Sequence, residues 1–164
     1  MNSIDEIWAA YLIYMQAFSK DNNGIKYLLT VIDIFSKFVW FVPLIRKTGQ
    51  EVANAFSRTL KERRRSKTWV DRGREFYNKD VQKLIELYST ENEEKSCVID
   101  RFNRTIKKKM FKYFSANNTR KYVDILDLLV NQYNNSIHSS IKMTPNVASR
   151  KKTKIKYGEI YTQN

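Results

Sequence analysis

Asp71 and Asp100 are the residues of this chain best suited to chemistry by type and setting. Each stands among arginines and beside an aromatic residue, in Asp71-Arg-Gly-Arg-Glu-Phe76 and Asp100-Arg-Phe-Asn-Arg-Thr105. Carboxylates are hard oxygen ligands that hold Mg²⁺ while leaving it part of its water shell. Two such ions about 3.5–4 Å apart stabilise the attacking and leaving oxygens of a phosphodiester transfer, which requires several carboxylates converging from separate elements. Guanidinium forks beside them match phosphate oxygens. The pattern points to a metal-binding carboxylate site that handles a phosphate backbone.

Charge agrees with that chemistry. The 164 residues carry a formal net charge of +13 and a pI near 9.8. A surplus of this size favours a polyanionic partner, because bound lysines and arginines release counterions from phosphates. A generic basic surface is the competing explanation. One cysteine, Cys97, and one histidine, His138, exclude a disulfide framework and a four-ligand Cys/His zinc site. No segment approaches the run of about 18 apolar residues that spans a membrane. Asp5 and Glu6 give the N-terminal run the wrong charge for a signal peptide. The expectation is a soluble, intracellular and nuclear chain with no membrane partner.

These residues need elements to hold them. Residues 7–18, 25–33 and 37–43 are apolar and aromatic, and Asn22-Asn23-Gly24 signals a hairpin between the first two. The first third therefore reads as a three-stranded antiparallel meander. Thr48-Gly-Gln-Glu51 has capping-box spacing, and Val52, Phe56 and Leu60 recur behind it, predicting a helix over 49–63 that Arg63-Arg-Arg65 closes. Lys67 to Val70 is a short strand with Asp71 at its end, and Asn78 caps a short helix over 79–86. Residues 88–94 are loop-like. Val98, Phe102, Ile106 and Met110 then mark a helix over 95–114, and Val123, Leu126, Val130 and Tyr133 another ending near Asn134. The order β-β-β-α-β-α-α-α implies one α/β domain over residues 1–150. Residues 151–164, with Lys151 and Lys152, read as a basic, partly disordered tail.

At this point the chain resembles the catalytic core of retroviral-type integrases, and looks most similar to those of retrotransposons and large self-synthesising DNA transposons. The resemblance runs from Asp5 to Ser149. It rests on Val31-Ile-Asp-Ile-Phe-Ser-Lys37 with Trp40, on the two acidic motifs above, and on Tyr133-Asn-Asn-Ser-Ile-His-Ser-Ser140 with Met143-Thr-Pro145. It implies a ribonuclease-H-like fold: a mixed five-stranded sheet, three antiparallel strands then parallel additions, flanked by helices. It also implies an Asp-Asp-Glu triad binding Mg²⁺ or Mn²⁺, DNA as partner, trimming of element ends, strand transfer, and a homodimer or higher oligomer. The family's His/Cys zinc module has no counterpart here, so the chain reads as a fragment or a single-domain remnant.

Position by position the match is incomplete. The second Asp falls on Asp71. The helix carboxylate falls on Asp100, where the family has Glu. The first Asp, from a Trp-x-x-Asp start, falls on Tyr11, and Tyr14 replaces another residue that is often acidic. A phenol titrates near about 10 and is neutral at pH 7, so Tyr11 is a poor substitute for a ligand expected to touch both ions. Asp71 and Asp100 are 29 positions apart (100 less 71), a few short of the family spacing, and the shortening falls around Leu84 to Tyr88, where an edge strand belongs. The expectation is a DNA-binding domain with Asp71 and Asp100 as residual metal ligands and impaired catalysis. Alternatives are a dimerising interaction module using helices 49–63 and 120–134, and an active polynucleotidyl transferase with an altered metal site.

Other residues have plainer readings. Arg101, Arg104, Lys107 and Lys108, with Lys109 and Lys112, crowd one helix and are assigned to phosphate contact, against a merely solvated face. Asp100 and Arg104 at i, i+4 also suit a surface ion pair worth under about 1 kcal/mol. Asp33 or Glu75 could substitute for the missing carboxylate, although Asp33 fits a turn with Ser36. His138 is read as structural, Trp8, Trp40 and Trp69 as core, and Cys97 as buried packing.

Overall fold

Alternation along residues 7–14 divides the first strand between two cores. In the computed structural model, strand β1 (Ile7–Tyr14) sends Trp8, Ala10 and Leu12 to one face and Ala9, Tyr11 and Ile13 to the other. The structure describes residues 4–62, 67–70, 73, 75–85, 87–88, 93–150, 153–156 and 159–162; side chains are described for 4–61, 68–70, 73, 75–85 and 97–150. β2 (Tyr27–Asp33) and β3 (Val39–Leu44) pair antiparallel in sequence with β1, while β4 (Lys67–Val70) and β5 (Leu87–Tyr88) add in parallel, giving the order β3-β2-β1-β4-β5. This is the expected mixed five-stranded sheet. Its edge strand β5 is described at Leu87–Tyr88, with residues 86 and 89–92 on either side outside the described residues.

Helix α1 (Gly49–Glu62) and the short α2 (Lys79–Gln82) cover the Trp8 face, with Phe56, Phe76 and Val81 buried. The Thr48 hydroxyl accepts from the Glu51 amide at 3.3 Å, but the Glu51 carboxylate caps the Arg46 amide instead of completing a reciprocal box. Helix α3 (Glu93–Asn117) and α4 (Leu126–Asn134) cover the other face, and α3 buries Ile99, Phe102, Ile106, Met110 and Phe114 as one stripe. All three tryptophans are core, as expected.

Two buried asparagines lock these layers. Asn22 donates to the carbonyls of Phe18 and Arg120 and accepts from the amides of Tyr122 and Val123, joining the β1–β2 connection to the α3–α4 connection. The Asn134 side chain pairs with both the amide and carbonyl of Val39, at 3.0 Å each, so α4 hydrogen-bonds to the edge of the sheet as a strand would.

Several local expectations are corrected. β1 and β2 do form the expected antiparallel hairpin, but β1 stops at Tyr14, not 18, and residues 16–21 form a 3-10 turn within the connection. Asn23 and Gly24 do take left-handed φ of 55° and 76°, but the inward demand for Asn22 lengthens the connection. The helix predicted over 79–86 ends at Gln82, while α3 begins at Glu93, inside the segment read as loop. Pro145–Ala148 forms one turn, α5, capped by Thr144, and Thr153–Lys156 pairs with Glu159–Thr162 as a separate β6–β7 ribbon. Arg63, Arg64, Arg65, Lys151 and Lys152 lie outside the described residues.

Candidate carboxylate site and nucleic-acid interface

Tyr11 lies on the central strand, on the face covered by α3 and partly buried against that core. Its cross-strand partner Thr30 donates its hydroxyl to the Asn103 side chain on α3 at 2.9 Å, and Asn103 follows Asp100 by three residues. Asp100 itself is exposed. Asp71 lies outside the described residues; Val70, just before it in the chain, pairs with Ala10, the neighbour of Tyr11. β1, β4 and α3 are therefore adjacent, as a converging carboxylate site requires.

The described residues supply one carboxylate to this region, Asp100, and Asp71 lies outside them. Among the described residues there is no group of three His, Cys, Asp or Glu side chains able to hold a cation. The strand position facing α3 is occupied by Tyr11, which carries no carboxylate. No reaction step through a metal is derived for this chain.

Both carboxylates considered as substitutes have partners of their own. Asp33 is buried and holds the turn after β2: its oxygens accept from the Ser36 hydroxyl at 2.6 Å and from the amides of Phe35 and Ser36. Glu75 accepts from the Tyr14 hydroxyl at 3.3 Å and lies 3.9 Å from the Lys47 ammonium. Lys47 also donates to Tyr14 at 3.0 Å, and that bond, followed by the Glu75 charge, pushes the Lys47 pKa up. Tyr14 thus belongs to a cluster with Lys47 and Glu75.

The basic residues of α3 separate onto two flanks. Helical spacing puts Asp100, Arg104 and Lys107 on one edge of the core stripe and Arg101, Thr105 and Lys109 on the other, with Lys108 between them on the outer surface. Arg101, Arg104, Lys107 and Lys108 are all exposed. The second edge borders a cleft of about 610 Å³ that the sequence did not reveal, walled opposite by residues 136–140 and closed by Lys37.

Cys97 lines this cleft and is exposed, which corrects its assignment to the core: the inward stripe runs through Ile99 and Phe102, and Cys97 falls outside it. His138 is held as expected of a structural residue. Its backbone bridges to Met143, its ring packs edge-on to Tyr133 at 6.2 Å, and its Nδ1 lies 2.9 Å from the Ser140 hydroxyl. Burial, then the charges of Lys37 and Arg101, pushes the His138 pKa down. Burial also lowers that of Lys37, with Asp33 opposing and Arg101 adding, and lifts that of Tyr133 to about 12.

Solved structures share this arrangement. The HTLV-2 integrase catalytic core domain, in complex with magnesium, matches with a TM-score of 0.73 and 16% identity over 90% of this chain and 98% of that one. A chain of the simian T-cell lymphotropic virus intasome, in complex with the PP2A regulatory subunit B56 gamma, matches at 0.74 and 19% identity over 87% of this chain and 53% of that one. The BIV integrase core matches at 0.69 and 16% identity, over 88% and 93%. The fold is that of a retroviral-type integrase catalytic core. In sequence, this integrase-like core is 38% identical over 138 residues to a transposon-derived protein of Caenorhabditis elegans, covering 80% of this chain. The core spans about half that relative's length, 48%. No family model matches it. Among the described residues no helix is long and apolar enough to cross a membrane.

Proposed function

We propose that this chain is an integrase-core domain of a transposable element that binds DNA through the Asp100 flank of α3 and has lost strand transfer. The observation that carries the loss is Tyr11 on the central strand, facing α3, where the integrase pattern calls for its first Asp. The +13 charge and the exposed Arg104, Lys107 and Lys108 support duplex binding that weakens steeply with salt and persists without Mg²⁺. Asp71 and Asp100 are left as the residual carboxylates.

The deciding experiment is disintegration of branched DNA with Mg²⁺ and with Mn²⁺, the least demanding reaction for an isolated core. The chain is compared with Tyr11→Asp/Asp100→Glu. A silent parent and a cutting double variant are expected. Cutting by the parent would refute the loss and favour an altered metal site. Silence of both would put the lesion in the shortened 71–100 segment.

A second reading, self-association, has its own support in Leu128, an apolar residue of α4 that is 55% exposed. Light scattering on the chain and on Leu128→Glu tests it: a dimer that the substitution dissociates supports it, and a monomer at high concentration removes it.

A further inference from the structure

The cleft on the opposite flank of α3 combines positive charge, hydroxyls and aromatic surface in a volume suited to one small ligand. Its walls carry Lys37, Arg101 and Lys109, the Ser136, Ser139 and Ser140 hydroxyls, and the ring of Tyr133 backed by the buried Phe102; among the described residues no lining side chain is acidic. Its volume of about 610 Å³ falls within the roughly 300–1,000 Å³ range of small-ligand sites. The two rings are fixed in an edge-to-face pair 4.8 Å apart, so the apolar wall is preformed. At the mouth Ile137 stands 76% exposed. Its side chain is an apolar surface that a ligand in the cleft can cover.

We propose that this cleft binds a nucleotide, with its phosphate on Lys37, Arg101 and Lys109 and its base against Tyr133 and Ile137. Each part of the ligand answers a part of the wall. A phosphate offsets the like charges of Lys37, Arg101 and Lys109; burial is the main cause that lowers the pKa of Lys37 and His138, with the Arg101 charge adding at both and Asp33 opposing at Lys37. A base supplies the face that rings and aliphatic groups stack on without regard to sequence. A free nucleotide and an unpaired nucleotide of a DNA strand present the same chemistry. The inference is independent of duplex binding at the Asp100 flank, because it rests on residues that α3 turns the other way.

Cys97 supplies a probe, since it lines the cleft and is the sole cysteine of the chain. The experiment follows its alkylation by iodoacetamide in the whole native chain, read by mass, with dAMP, deoxyadenosine, inorganic phosphate or a short unpaired oligonucleotide. At about ten times its Kd, dAMP is expected to slow alkylation about tenfold, with deoxyadenosine and phosphate at the same concentration each slowing it less than about twofold. Arg101→Ala, an exposed helix position, should abolish protection, while Lys107→Ala, which removes the same charge from the other flank, should preserve it. Protection by the oligonucleotide at lower concentration than dAMP assigns the nucleotide to a strand; the reverse assigns it to a free nucleotide. Unchanged alkylation in all arms, equal protection by phosphate, or equal loss in both variants would overturn the proposal.

Discussion

Replacing Asn22 by alanine is the sharpest test of how this fold is held together. Asn22 is fully buried, and its amide makes four hydrogen bonds: to the carbonyls of Phe18 (2.8 Å) and Arg120 (2.9 Å), and from the amides of Tyr122 (2.6 Å) and Val123 (3.1 Å). Alanine leaves all four backbone groups without that partner. At about 1 kcal/mol net per bond the loss is about 4 kcal/mol. A domain of this kind has about 5–15 kcal/mol in all, so the variant approaches the edge of folding. The midpoint should fall by about 2–4 °C per kcal/mol, or roughly 8–16 °C. Asn22→Asp should recover little, because its carboxylate keeps the two amide donors but faces two carbonyl oxygens. Urea unfolding followed by circular dichroism measures these values. The comparison is Asn117→Ala, an exposed site whose side chain bonds within α3, where the cost should stay under about 0.5 kcal/mol. An Asn22→Ala loss below about 1.5 kcal/mol at unchanged m-value would show that water or chain relaxation replaces the bonds and would sink the argument.

Two further predictions concern the cleft and the α1–α2 contact. The His138 pKa lies below 6.5 in the fold, so the neutral ring is favoured there; stability is full above about 6.5 and falls as pH drops below it, levelling off once the folded ring also protonates. His138→Gln should flatten that slope in melts between about pH 5 and 7.5, and Arg101→Ala should raise the ring's NMR titration midpoint; a parent midpoint at or above 6.5 would contradict the cleft electrostatics. Gly49→Ala would place a Cβ 2.6 Å from the Asn78 side chain, which caps α2 by accepting from Asp80 and Val81. The displaced cap should cost about 1 kcal/mol in urea unfolding, and a variant as stable as the parent would show that Asn78 moves aside freely.

Much of the scaffold is legible in the chain. Alternation in 7–14, the Val52-Phe56-Leu60 stripe and the Phe102-Ile106-Met110 stripe specify elements because burial of one face follows the period of strand or helix. The replacement at Tyr11 is a matter of residue type alone. Long-range partners are another matter. Nothing local marks Asn22 as the tie to residues 120–123, or Asn134 as the partner of Val39, since both bonds cross about a hundred residues. The Asn-Gly signal is local: it marks the β1–β2 hairpin, with Asn23 and Gly24 at positive φ, but not the 3-10 turn over 16–21 that lengthens its connection. Cys97 was misplaced because one helical step decides between the core stripe and its flank. The cleft is wholly a product of packing. Lys37, Arg101 and His138 come from a strand turn, a helix and a late loop, and only the docking of α3 and α4 on one sheet face gathers their charges around a common space.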